Sequence, residues 1–207
     1  MTALGQASSL SSVSAWLSRC PLRVAHVCWN IATGKGAVLL PAARRVGPKG
    51  QVTGIDLSGE LLKEAERVVR ADGLTNVELL KMDAEHLKFP DNTFDFVTCA
   101  FALFLFPDME AALREMYRVC KPRGYVAMTN FNRTPPPFEP GMSILIKQFM
   151  DYQAQVILPP QLAFTPKEMK ELLSRFGFRS VKSHSETNDI CMRRRRIAGD
   201  LYSPSCL

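Results

Sequence analysis

The sequence lacks the features that would assign it to several other classes of protein. None of its 207 residues belongs to an apolar run of 18 or more, which argues against a membrane-spanning helix. No Lys or Arg precedes Arg19, so the start of the chain does not have the charged character of a secretory signal. Internal repeats are absent, and the apolar (46%) and charged (22%) fractions are those of an ordinary globular chain. These absences exclude a fibrous or mostly disordered protein.

Cysteine is present but not in the spacing that a metal site or a disulfide scaffold would need. No two of the six cysteines form a C-x-x-C pair, and none lies beside a His at the spacing of a zinc site. We therefore predict free thiols, no metal, and a cytoplasmic location in a reducing compartment. The cysteines are Cys20, Cys28, Cys99, Cys120, Cys191 and Cys206.

Positive charge is concentrated at one end of the chain. The run from Arg193 to Arg196 supplies four of the six net positive charges, so the rest of the chain is nearly neutral. A nucleic-acid partner is not expected, because such partners require basic residues spread over a face with aromatic residues between them. The run is predicted to be solvated, and contact with a phosphate or an anionic surface is the alternative. We expect an irregular segment at 1–22, one domain at 23–186 and a basic irregular tail at 187–207.

Strand-length apolar runs alternate with segments of helical period. Ser58, Asp108 and Thr165 are each placed to cap a helix between or after these runs. Alternation with short connections predicts an α/β fold with a mostly parallel, twisted sheet and helices on both faces. The predicted strands cover residues 24–31, 51–57, 77–81, 94–101, 125–130 and 178–185.

A glycine loop follows the first predicted strand and opens the first helix. Gly34 and Gly36 would let a ligand approach the backbone, and Asp56 follows 22 residues after Gly34, where a carboxylate can accept both hydroxyls of a ribose. A dinucleotide site would require a third glycine at position 39, which is Leu39. S-adenosylmethionine needs no pyrophosphate cradle, and the missing glycine favours it over a dinucleotide.

Five motifs in this order resemble those of the class I S-adenosylmethionine-dependent methyltransferases. The closest branch acts on small molecules and includes the ubiquinone/menaquinone-biosynthesis C-methyltransferases. The motifs are Ala32–Gly36, Gly54–Ser58, Met82–Glu85, Phe89–Asp95 and Val119–Gly124. The resemblance implies a Rossmann-like methyltransferase fold, S-adenosyl-L-methionine as cofactor and a small-molecule methyl acceptor.

The resemblance also implies roles for individual residues. Lys35 is expected near the methionine portion of the cofactor, and Asp56 is expected to hold the ribose. Asp83 and Ala84 would flank the adenine, with Asp83 accepting a hydrogen bond from its exocyclic amine. The predicted cofactor-binding residues are Asn30, Ala32, Gly34, Lys35, Gly36, Asp56, Leu57, Asp83, Ala84 and Ala100.

No catalytic residue is assigned from the sequence. His86 is expected at the surface or at the rim of the cofactor site, and His184 lies late in the last predicted strand. The apolar segment 101–106 could line an apolar acceptor pocket or belong to the core. Methyl transfer does not require a base, since alignment of the reactants within ~3–3.5 Å can supply ~7–11 kcal/mol of the barrier.

The chain departs from the family pattern at three places. Asn30 stands where the family has an acid, which should weaken cofactor binding, and a shift of strand register there would turn Asn30 away from the ligand. Cys28 and Trp29 are poor residues for a buried strand at positions usually filled by aliphatics. Residues 191–207 contain no run for the family's last antiparallel strand, which we expect to be missing.

The favoured function is methylation of a small, apolar or aromatic molecule, and the alternative is a methyltransferase-like fold with impaired catalysis that acts as a binding partner.

Overall fold

The central sheet has five parallel strands, and its order is the main fact that positions the site. The computed structural model describes residues 16–132 and 163–183. The strands lie in the order β3-β2-β1-β4-β5. Their bounds are β1 Val27–Ile31, β2 Gln51–Asp56, β3 Val77–Lys81, β4 Phe94–Ala100 and β5 Cys120–Thr129. This arrangement confirms the predicted α/β fold with a parallel sheet.

Helices cover both faces of this sheet. They are α1 Leu39–Val46, α2 Gly59–Ala71, α3 Met109–Val119 and α4 Pro166–Arg175. The core on one face joins α1 and Val69 of α2 to the sheet, and the core on the other face joins α3 and α4 to it. Side chains of β1 alternate between the two cores, with Cys28 on the α1 side and Trp29 and Ile31 on the α3 side. Within the described residues, no helix has the length and apolar character needed to cross a membrane.

The helices begin where their capping residues predict. The Ser58 hydroxyl accepts from the Leu61 N–H at 3.3 Å at the start of α2, and the Asp108 carboxylate accepts from the Ala111 N–H at 2.8 Å at the start of α3. Thr165 and Glu168 form a reciprocal capping box at α4, with Pro166 in its first turn. These contacts satisfy N–H groups that the first turn of a helix leaves without partners.

The prediction that Cys28 and Trp29 fit a buried strand poorly is wrong. Both residues are buried in β1. The Trp29 ring stacks on Phe94 with a centroid distance of 5.7 Å and meets the edge of Phe89 at 6.1 Å, so neighbouring aromatic rings accommodate the large side chain. The strand also begins later than predicted, at Val27, because the positive φ of Ala25 interrupts the extended run.

The later part of the chain differs from the sequence prediction. Residues 178–183, the described part of the predicted sixth strand, form no strand; Phe178 instead packs edge-on against Tyr117 at 5.3 Å. β5 begins at Cys120, five residues earlier than expected, with a shift in its pairing to β4 between Phe94 and Phe96. A second parallel sheet of two short strands was not predicted: β6 Phe131–Asn132 and β7 Ala163–Phe164. His184, the arginine run and the expected absence of a last strand lie outside the described residues.

Candidate functional site

The candidate site lies at the carboxyl ends of β1, β2 and β4. β1 sits between β2 and β4, so the chain leaves the first strand toward one side of the sheet and returns to the other side at β4. In open α/β sheets the loops that follow such strands diverge, and ligands bind in the crevice between them. All ten residues of the predicted cofactor set lie on the ends of β1 to β4 or on the loops that follow them.

The loop after β1 turns sharply and leaves space beside its first glycine. Ala32, Gly34 and Gly36 all have positive φ, at 49°, 53° and 93°. A Cβ atom placed on Gly34 would meet no heavy atom within 4 Å, whereas one on Gly36 would lie 3.2 Å from Leu40 Cγ. Gly34 thus provides both the left-handed backbone and room for a ligand, and Gly36 allows the loop to pack against the start of the helix.

Asp56 connects the glycine loop to the start of α2. Its Oδ2 accepts from the Gly34 N–H at 2.8 Å, and its Oδ1 accepts from the Ser58 N–H at 2.9 Å. A carboxylate offers about four lone-pair positions, so two remain for a ligand. The carboxylate is held in place by two backbone groups from separate loops.

Asn30 is the centre of a buried polar network. Its Oδ1 accepts from the Thr33 hydroxyl at 2.6 Å, and its Nδ2 donates to Thr98 Oγ1 at 3.0 Å. The Thr98 hydroxyl donates in turn to the Trp29 carbonyl at 3.2 Å. Asn30 is only 2% exposed and pairs with Gly54 of β2 and with Thr98 of β4, so the register of β1 is intact through this position.

Neither threonine partner of Asn30 was predicted from the sequence. Thr98 is a polar residue within the apolar run of β4, and that position was the available signal. Gly54 makes the arrangement possible, since a Cβ there would lie 3.0 Å from Thr33 Oγ1 and 2.8 Å from Leu39 Cδ1. Asn30 therefore joins the glycine loop to β4 through side chains that only the fold brings together.

The side chain of Lys35 is directed toward α2. Its Nζ lies 2.7 Å from a carboxylate oxygen of Glu64, and both side chains are about half exposed. The backbone of Lys35 remains in the glycine loop. A contact between Lys35 and the methionine portion of a cofactor therefore stays a prediction, and it would have to be made by the backbone of Lys35.

Asp83 and Ala84 follow β3 at the edge next to Asp56. The Asp83 Oδ1 accepts from the Glu85 N–H at 2.9 Å, which closes a tight turn, and Ala84 is buried beside it. His86 is exposed over 81% of its side chain, with Nδ1 3.6 Å from Asp83 Oδ2. The ligand atoms of Asp83, Glu85 and His86 lie within 4.8 Å of one another, but exposed acidic groups commonly cluster in this way without a metal.

The apolar segment after β4 divides between core and rim. Leu103 and Phe104 are buried, whereas Phe101 and Leu105 are each 42% exposed. Phe101 follows Ala100 directly and has a φ of 50°, and its N–H donates to the Thr129 carbonyl at 3.0 Å. Leu103 and Phe104 are therefore core residues, whereas Phe101 and Leu105 form a half-exposed apolar rim whose part in an acceptor pocket stays a prediction.

The buried cysteines near the site are not nucleophiles. Burial raises the pKa of both the Cys28 and the Cys99 thiols to about 12, and the nearby Asp95 carboxylate contributes at Cys28. A thiol with so high a pKa carries almost no thiolate at neutral pH. No disulfide forms among the described cysteines.

Comparison with known proteins gives one consistent match. Residues 29–128 match the family model described as "Methyltransferase domain". A demethylmenaquinone methyltransferase from Listeria welshimeri is 40% identical over 142 residues, which cover 69% of this chain and 57% of that protein. A demethylmenaquinone methyltransferase from Geobacillus kaustophilus is 44% identical over 95 residues, or 46% of this chain and 41% of that protein. The chain thus spans less than two thirds of the length of these relatives.

A solved structure supports the same assignment. A crystal structure of an S-adenosylmethionine-dependent methyltransferase from Aquifex aeolicus superposes with a TM-score of 0.65 and 27% identity. The superposition covers 83% of this chain and 81% of that protein.

Proposed function

We propose that this chain is a class I S-adenosylmethionine-dependent methyltransferase, whose cofactor is S-adenosyl-L-methionine, and that it methylates a small apolar or aromatic acceptor of the quinone kind. The observation that carries the proposal is the placement of Asp56 between the glycine loop and α2. The quinone class of acceptor is suggested by the demethylmenaquinone methyltransferases among its relatives.

The residues present fit this cofactor. Open space beside Gly34 allows the methionine portion to approach the backbone, and the two free acceptor positions on Asp56 suit the two ribose hydroxyls. Asp83 would accept from the adenine amine, with Ala84 and Leu57 as apolar walls. When bound, S-adenosyl-L-methionine would supply a methyl group activated by its sulfonium charge. Asn30, Ala32, Lys35, Gly36 and Ala100 complete the proposed cofactor set.

The chain's contribution to catalysis is proposed to be alignment rather than proton transfer. Among the described site residues, His86 is the only histidine near the crevice, and it lies beside Asp83 on the proposed adenine side, away from the apolar residues proposed to hold the acceptor. The half-exposed side chains of Phe101 and Leu105 continue from the end of β4 and would hold an apolar ring. Holding the acceptor at ~3–3.5 Å from the methyl group can supply ~7–11 kcal/mol of the barrier.

Calorimetry with S-adenosylhomocysteine tests this function. We expect the parent protein to bind and Asp56→Ala to weaken binding at least tenfold, because two hydroxyl contacts and the loop anchor are lost together. Asp72→Ala is the matched control, since it removes an exposed acid that pairs with Arg44 away from the crevice. Absence of binding by the parent, or equal affinity of Asp56→Ala and the parent, would refute the assignment.

A second candidate function is a binding partner with the methyltransferase fold and impaired catalysis. The observation that favours it is β5, a ten-residue strand at the edge of the sheet that is hydrogen-bonded to β4 alone in the part of the chain that is described. A long unpaired edge can add a strand from another chain. Light scattering after gel filtration, combined with a turnover assay, distinguishes the two: steady methylation by a monomer would exclude the partner function.

The limits of the domain and its location remain proposals. Residues 23–186 are the proposed domain, although Leu17 and Leu22 are buried against α1 and extend the packed region upstream. The free thiols of the described cysteines support a cytoplasmic location.

A further inference from the structure

Arg118 on α3 holds the segment that leads away from Asp83. Its Nη1 donates to the Phe89 carbonyl at 2.8 Å and to Asp91 Oδ1 at 2.6 Å. Its Nε and Nη2 donate to the two carboxylate oxygens of Glu115, at 2.7 Å each. One guanidinium thus joins the helix to both the backbone and a side chain of the segment. Its pair with Glu115 on the same helix has the bidentate geometry that makes such pairs strong.

Glu115 completes this attachment from the same helix. Its Oε2 accepts from the Leu87 N–H at 2.9 Å in addition to the bonds from Arg118. The two side chains are mostly buried, with exposed fractions of 18% for Glu115 and 30% for Arg118. Hydrogen bonding from Arg118 lowers the pKa of the Glu115 carboxyl, so the pair is charged near neutral pH.

The other end of the segment is also attached to α3. The Glu85 Oε1 accepts from the Asp108 N–H at 2.9 Å, at the start of the helix. The Glu85 N–H donates to Asp83 Oδ1, which fixes the turn that carries Asp83. The chain from Glu85 to Asp91 is therefore attached to α3 at several points along its length.

We propose that Glu115 and Arg118 are positioning residues, which fix Asp83 and Ala84 in the geometry that recognises the adenine of the cofactor. The inference rests on the proposed function for the identity of the ligand. Neither side chain is expected to touch the cofactor. Their effect is preorganisation, since a segment that is already ordered loses less conformational entropy when a ligand binds.

Two variants and one control isolate the effect. Arg118→Gln removes the guanidinium and its contacts with the segment. Glu115→Gln is milder: the amide oxygen can still accept from the Leu87 N–H, but the negative charge that pairs with Arg118 is lost. Arg70→Gln is the matched control, since Arg70 pairs with Glu66 at 2.6 Å on the exposed face of α2 and contacts no part of the segment.

The experiment compares S-adenosylhomocysteine with S-inosylhomocysteine, in which an oxygen replaces the exocyclic amine. The parent and Arg70→Gln should bind the adenine ligand about tenfold more tightly than the inosine ligand. This ratio corresponds to the free energy of one hydrogen bond to a charged acceptor. Arg118→Gln should reduce this preference to threefold or less, with Glu115→Gln intermediate. A general loss of stability would weaken the binding of both ligands equally. An unchanged preference for the adenine ligand in Arg118→Gln would therefore overturn the inference.

Hydrogen exchange on the ligand-free protein provides a readout that does not depend on the ligand. The amides of Glu85, His86 and Leu87, which are hydrogen-bonded in the parent, should exchange at least tenfold faster in Arg118→Gln, with β1 and β2 unchanged. If the parent binds neither ligand, the proposed function fails while faster exchange confined to this segment still supports the positioning role. Exchange equal to that of the parent would overturn it.

Discussion

Replacing Asn30 by Asp adds a charge at one of the best-buried polar positions of the sheet. The variant would retain the acceptor for the Thr33 hydroxyl but lose the Nδ2 donor to Thr98, whose hydroxyl would have to turn away from the Trp29 carbonyl to donate to the new carboxylate. Among the described residues, no Lys or Arg is hydrogen-bonded to Asn30, and burial of an uncompensated carboxylate costs several kcal/mol. We expect the free energy of unfolding to fall by about 2–4 kcal/mol at pH 8.

The sign of the pH dependence follows from burial. Burial without a cationic partner should raise the pKa of the new carboxyl above its unfolded value, so the folded variant binds the extra proton more tightly than the unfolded chain does. Relative to the parent, the variant should be least destabilised at pH 4 and lose stability as the pH rises through the folded-state pKa. Urea unfolding at pH 4, 6 and 8 measures this, with Asn92→Asp at an exposed turn as the control.

The same substitution tests the effect of charge on the cofactor. A charge-assisted hydrogen bond contributes ~1.5–3 kcal/mol and a neutral one ~0.5–1.5. On the proposal that residue 30 faces the ammonium group of S-adenosylmethionine, a carboxylate there should tighten binding about tenfold. The gain should be similar for S-adenosylhomocysteine, which keeps the same ammonium group. Parent-like stability at every pH together with unchanged affinity would show that Asn30 is not in the buried network and would refute the reasoning.

Three further substitutions or treatments test the packing around the site. Gly54→Ala should lower the free energy of unfolding by about 1–3 kcal/mol in urea, because its Cβ would lie 2.8 Å from Leu39 Cδ1; stability equal to the parent would contradict this close approach. Ser58→Ala should cost about 1 kcal/mol through loss of the α2 cap, measured in the same assay, and no loss would mean that the cap contributes nothing. Cys28 and Cys99 should react with a thiol reagent at pH 8 only after unfolding, and rapid reaction of the native protein would disprove their burial and raised pKa.

Much of the fold follows from local sequence signals. The run of Val77–Lys81 was predicted with the bounds that the structure has, and the caps Ser58, Asp108 and Thr165 begin their helices as expected. These signals depend on neighbours within one or two turns, which the sequence contains in full. The glycine loop and Asp56 were also found from spacing, because the carboxyl ends of adjacent parallel strands meet at one edge of a sheet.

The errors arose where distant residues decide the local structure. Trp29 is unsuited to a buried strand when judged by its immediate neighbours, but Phe94 and Phe89 provide rings that pack against it. The predicted strand at 178–185 has apolar residues of the right type, yet Phe178 uses its ring to pack on Tyr117 of α3. A run of apolar residues signals burial, and whether that burial occurs in a strand depends on what lies opposite.

The sequence by itself determined the alternation of strands and helices, the glycine loop, and the order of motifs that resembles that of the methyltransferases. Only the tertiary structure decided how the site is held. Asn30 bonds to Thr98, 68 residues later, and Leu87 donates to Glu115, 28 residues later. Periodicity and capping signals extend over a few residues, whereas these contacts depend on strand order and on the packing of α3 against the sheet. The residues that could bind the cofactor can therefore be predicted from the sequence, whereas the residues that position them are identified only from the folded structure.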